Sequence, residues 1–76
     1  MDLRYIKSEE TGDITYVLYS TRGKPYNWLI IKIDETSSTT TLSYASHKNN
    51  SSIKATDFDT AWSNRASLSY SPYNEF

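Results

Sequence analysis

His47 is the single histidine of a 76-residue chain that contains no cysteine. Imidazole is the side chain best suited to proton transfer near neutral pH, and it is a common zinc ligand. Here it stands beside Lys48 at the end of a β-rich run, with no thiolate or second imidazole to complete a metal shell, so it reads as a surface residue. The neighbouring carboxylates are Glu9-Glu10, Asp34-Glu35 and the Asp57/Asp59 pair. Glu9-Glu10 and Asp34-Glu35 fall at loop edges, without the paired-carboxylate setting of a glycosidase or a divalent-metal site. Asp57 and Asp59 suit the first turn of a helix, where they complement unpaired N–H groups and the positive end of the dipole. Serine is abundant, but Gly-x-Ser-x-Gly is absent. The two glycines, Gly12 and Gly23, exclude a phosphate loop and a dinucleotide fingerprint. No catalytic residue, metal ligand or cofactor is expected.

What remains is recognition chemistry. The chain has seven tyrosines, two tryptophans and two phenylalanines. Eight basic and nine acidic residues are interspersed along it for a net charge of −1, which removes the global attraction to phosphate found in most nucleic-acid binders. The longest apolar run, Trp28-Leu29-Ile30-Ile31, is far shorter than the roughly 20 residues a membrane helix needs. The absence of cysteine suits a reducing, cytoplasmic setting. Asn49-Asn50-Ser51 and Asn50-Ser51-Ser52 match the glycosylation acceptor pattern and read as turn chemistry.

The positioning elements follow from periodicity. Residues 1–68 are expected to form a single β-rich domain, with residues 69–76 as a tail. Strands are expected over Leu3–Lys7, Ile14–Ser20, Tyr26–Glu35 and Thr39–His47, with a short fifth over residues 53–55, because β-branched and aromatic residues favour a pleated surface. Glu9–Asp13 and Thr21–Pro25 supply the turns. At Thr56 the period changes: Phe58, Ala61, Trp62 and Arg65 form one helical stripe, and a helix over about 57–66 follows, with Thr56 as its N-cap. The expected fold is α+β, a four-to-five-stranded antiparallel β meander with one short C-terminal helix packed on one face.

Pairing Tyr19 with Tyr26 across the second hairpin puts Ile14, Tyr16, Leu18, Leu29, Ile31 and Ile33 on the helix-covered face, joined by Leu3, Tyr5, Leu42, Tyr44, Phe58 and Trp62. The same register turns Val17, Tyr19, Tyr26, Trp28 and Ile30 outward, near Lys32 and the hairpin-tip cations Arg22 and Lys24. Those eight residues are the candidate partner-binding set, since exposed aromatic patches mark contact sites. A tail folded back through Tyr70, Tyr73 and Phe76 is the structural alternative. The function expected is a non-catalytic protein-binding factor, an inhibitor or immunity-type protein of phage or mobile-element origin. It would work by steric occlusion. A β-sheet nucleic-acid platform using Arg22, Lys24 and the rings is the second reading, and a homodimer the third.

Overall fold

Gly12 and Gly23 carry the only positive φ angles among the described residues, +62° and +75°, and each closes a two-residue hairpin turn. At Gly12 the positive φ lies at the first central position alone, as a type II′ connection requires. The turn is therefore Gly12-Asp13, and the first strand continues through Glu9, Glu10 and Thr11 instead of ending near Lys7. The structure, a computed structural model, describes residues 3–48, 50 and 57–73, with the side chains of Pro25 and Tyr26 outside the description.

The described elements are β1 (Leu3–Thr11), β2 (Ile14–Thr21), β3 (Lys24–Asp34), β4 (Thr41–Ser46) and α1 (Phe58–Ser63), followed by a 3-10 turn over Arg65–Ser67. The strands make one antiparallel sheet in the order β1-β2-β3-β4, and α1 packs on β3 and β2. The α+β meander with one short helix is thus the observed fold. The expected fifth strand over 53–55 lies outside the described residues, as does Thr56. The helix is capped by Asp57, whose carboxylate accepts from the Thr60 N–H at 3.0 Å. Beside β4 runs Ser71, bonded to Tyr44 by reciprocal backbone hydrogen bonds of 2.8 Å. Asn50 ties down the approach to it: its buried amide donates to the carbonyls of Ser46 and Ser69 and accepts from the Ser69 N–H.

The register departs from the expected one in a way that inverts a strand. Tyr19 faces Leu29 rather than Tyr26, and Leu18 faces Ile30, whereas Thr21 pairs with Lys24 at the turn. Between those pairs β3 spends Pro25, Tyr26 and Asn27 without advancing β2 at all. Pro25 has no N–H to give the ladder, which favours an irregularity there. An odd offset in a structure of period two exchanges the faces of one strand relative to the other. Trp28 and Ile30 therefore point at the helix. A second shift, between Tyr5 and Lys7 of β1, inserts Ile6 and moves Leu3 and Tyr5 to the opposite side.

The core lies on the helix side: Leu18, Trp28, Ile30, Ala45 and Ala61, all fully buried, flanked by Ile6, Tyr16, Phe58, Trp62, Leu68 and Tyr70. Ala45 on the sheet and Ala61 on α1 are small, and Trp28 is the largest fully buried side chain in the same cluster. The large core side chains each contribute about 1.5–3 kcal/mol. The Trp28 Nε1–H is buried and meets no acceptor among the described residues, a cost of about 1–3 kcal/mol that burial of the ring outweighs. Expectations that Tyr5 and Leu42 are core and Trp28 exposed are corrected: Tyr5 is 57% and Leu42 46% exposed, Trp28 0%.

Truncating Trp28 to alanine is expected to cost about 3–5 kcal/mol, comparable to the whole stability of so small a domain. The variant should show no cooperative thermal transition by circular dichroism. Trp28→Phe, which deletes the unpaired donor and keeps most of the ring volume, should melt cooperatively; equal loss in both variants would contradict this account of the core.

Candidate protein-binding face

Residues directly opposite one another in an antiparallel ladder share a face, so the register defines both sides of the sheet. The second face, away from α1, is a grid whose rows cross all the strands. One row is Glu10, Thr15, Ile33, Leu42; the next is Ser8, Val17, Ile31, Tyr44; the third is Tyr5, Tyr19, Leu29, Ser46. Leu3, Thr21 and Lys24 complete it at the hairpin-tip end. Leu29 is buried at its centre, Val17, Tyr19, Ile31, Ile33 and Tyr44 are half-buried, and Tyr5 and Leu42 are exposed. Tyr5 and Tyr19 meet edge to face with ring centroids 6.2 Å apart, and the Tyr5 hydroxyl lies 3.0 Å from that of Ser8. Among the described residues no helix is stacked on this side.

The candidate residues are split by this geometry. Val17 and Tyr19 do lie on the second face. Arg22 and Lys24 are exposed at the hairpin tip. The Tyr26 side chain lies outside the description. Trp28 and Ile30 are core residues, and Lys32 is on the helix side with its Nζ 5.5 Å from the Tyr70 ring centroid. Of the expected outward set Val17, Tyr19, Tyr26, Trp28 and Ile30, the odd offset at the β2–β3 hairpin rotates Trp28 and Ile30 inward. Residues that the sequence pattern put on the helix-covered side and the register places on the second face are Leu3, Tyr5, Leu29, Ile31, Ile33, Leu42 and Tyr44, of which Leu29 is buried as expected. The signal for those on β3 and β4 was Pro25, a ladder-breaking residue inside the assumed pairing, whereas Leu3 and Tyr5 are moved by the insertion at Ile6.

Charge divides between the two sides. Lys7, Glu9, Lys32 and Asp34 fall on the helix face by register, and only Glu10 and Lys24 among the paired strand residues on the second. The helix-side cations interleave with rings. Lys7 stands 5.7 Å from the Trp62 centroid, Arg65 lies 4.4 Å from Trp62 and 5.6 Å from Tyr16, Tyr16 is 6.2 Å from Tyr70, and Lys32 follows. Arg65 also pairs with Glu9 and donates to the Trp62 carbonyl at 2.8 Å, fastening the end of α1 to β1 and β2. The Lys7–Asp59 pair, at 3.9 Å and well exposed, adds little.

Tyr70 closes this column: its hydroxyl donates to the Arg65 carbonyl at 2.7 Å. Burial, with Tyr16 beside it, holds the phenol well above its usual titration range, against the opposing pull of Arg65. Among the described residues no group of three or more histidine, aspartate or glutamate side chains could hold a metal ion, and no helix is long and apolar enough to cross a membrane.

Arg65→Ala should lower stability by about 2 kcal/mol, the sum of modest ring, ion-pair and carbonyl contacts. Arg65→Lys should recover less than half of it, lacking the planar fork; urea midpoints at constant m-value measure both. The Tyr70 folded-state pKa is raised, so its contribution is complete below pH of about 10, the unfolded value, and is lost as pH climbs beyond it. Tyr70→Phe should cost about 1 kcal/mol at pH 7 and shallow the alkaline decline. An unchanged decline would show that Tyr70 does not carry it.

No family model matches this chain, and comparison with curated proteins and with solved structures returned no match.

Proposed function

We propose that this chain is a small non-catalytic protein-binding factor that covers a partner's surface with the second face of its sheet. One observation carries the reading: half of a four-stranded sheet is apolar and aromatic on the side away from the helix, with Tyr5 57% and Leu42 46% exposed. Apolar patches of this kind on small domains mark contact surfaces, and tyrosine gives large, rigid contact area with a polar end. The ionic side chains that would discourage such contact are gathered on the helix side. A stoichiometric inhibitor or immunity-type factor of a phage or other mobile element, working in a reducing cytoplasm by steric occlusion, matches a chain this small and cysteine-free. A nucleic-acid platform is less well supported, because Lys32 sits over Tyr70 on the other side and the second-face grid contains Lys24 as its one cation.

The test uses a partner captured by the wild-type chain from its host. Leu42→Lys, at an exposed position, should leave stability within about 0.5 kcal/mol of wild type, Tyr5→Glu should lower it by about 1 kcal/mol through the lost Tyr19 ring contact, and each should weaken binding at least tenfold, measured by calorimetry. Binding at full strength by both folded variants would sink the reading.

A further inference from the structure

We infer that residues 69–73 are a strap that zips onto the outer edge of β4, carrying Tyr73 opposite Leu42 and hiding the exposed Leu42 corner of the second face.

The reciprocal bonds between Tyr44 and Ser71 fix an antiparallel register. Continued in both directions, it sets Ser69 opposite Ser46, Tyr70 opposite Ala45, Pro72 opposite Ser43 and Tyr73 opposite Leu42. The side chains already in place obey it. Tyr70, like Ala45, lies on the helix side, packed against the core and beside Tyr16 and Lys32. At the Ser69 end the Asn50 amide bridges the two backbones, donating to the carbonyls of Ser46 and Ser69 and accepting from the Ser69 N–H. At the other end the Tyr73–Leu42 pair is unmade. The Tyr73 N–H donates instead to the Ser71 hydroxyl oxygen at 3.1 Å, and the Tyr73 and Leu42 side chains are 73% and 46% exposed.

Period two turns the backbone of Leu42 the same way as that of Tyr44, away from β3 and toward the strap. Closure moves the Tyr73 N–H from the Ser71 hydroxyl to the Leu42 carbonyl and gives the Leu42 N–H the Tyr73 carbonyl. Both side chains then share the second face and cover one another. Pro72 permits this. Opposite Ser43 its ring nitrogen points away from β4, so the missing N–H forfeits no ladder bond and blunts the new outer edge. Its φ is fixed beforehand, which leaves Tyr73 as the main residue to be ordered. Two ladder bonds and a tyrosine–leucine pair are gained; one hydroxyl bond and the freedom of Tyr73 are lost. These opposing contributions are of similar size, so open and closed forms are both populated. That closure also gates docking rests on the proposed function, whereas the strap itself is tested in the chain alone.

Amide hydrogen exchange followed by NMR on the full chain is the test. The Leu42 amide should exchange more slowly than an unstructured amide by roughly threefold or more. Ser71→Ala, which removes the hydroxyl competing for the Tyr73 N–H, should slow it about threefold further. Tyr73→Pro, which puts a proline where the ladder needs an N–H, should return Leu42 to the unstructured rate. The Tyr44 amide should stay protected in all three chains, reporting an intact fold and register. A Leu42 amide at the unstructured rate in both wild type and Ser71→Ala overturns the strap, as does Leu42 protection that survives Tyr73→Pro. An unprotected Tyr44 amide in the wild-type chain removes the register being extended and overturns it too. The docking reading is decided separately, by whether Leu42→Lys loses a captured partner.

Discussion

The three residues by which β3 outruns β2 between Thr21–Lys24 and Ser20–Trp28 determine what this molecule encloses and what it shows. A hairpin ladder of period two preserves faces only when offsets are even. With an odd one, the continuous run Trp28-Leu29-Ile30-Ile31 is divided so that Trp28 and Ile30 meet α1 while Leu29 and Ile31 look the other way. Ser20, buried at the jump with its hydroxyl 3.4 Å from the Lys24 carbonyl, gives the irregular backbone a polar contact it would otherwise take from water.

A helix of six residues has little intrinsic stability. Its attachment depends on the sheet, through Ala61 and Phe58 in the core and through the file of cations and rings along the edge of that core. This arrangement has an electrostatic consequence. Charged side chains of β1 and β3 are drawn to the helix side, where Trp62, Tyr16 and Tyr70 offer them π faces, and the other side of the same strands is left almost without charge. Anchoring the helix and exposing an apolar face are two results of one distribution.

Much of the fold was legible. Strand runs rich in Tyr, Ile, Val and Thr, the glycines at both tight turns, and the Phe58, Ala61, Trp62 stripe located the four strands and the helix, although β1 runs four residues past its expected end and the helix gives way to a 3-10 turn over Arg65–Ser67. The facing of side chains was not legible, for a physical reason. In Trp28-Leu29-Ile30-Ile31 every position is apolar, so alternation carries no information and either parity buries the same kind of surface. Parity then depends on the hairpins, where the insertion at Ile6 and the stretch Pro25-Tyr26-Asn27 each add an odd number of residues. Tyr19 and Val17 were assigned correctly because β2 alternates around Leu18. Trp28 and Ile30 were not, because β3 was threaded from the wrong pair.

The margins of the sheet differ from its open side. β1 ends the sheet with an inserted residue and a row of charged and hydroxyl side chains, and along β4 the backbone pair at Tyr44 is already taken by Ser71, held there by Asn50. Neither border offers a long, flat template for an incoming strand. Growth by lateral strand addition, the route to fibrils, is thereby disfavoured at both rims even though the sheet carries apolar side chains on its second face.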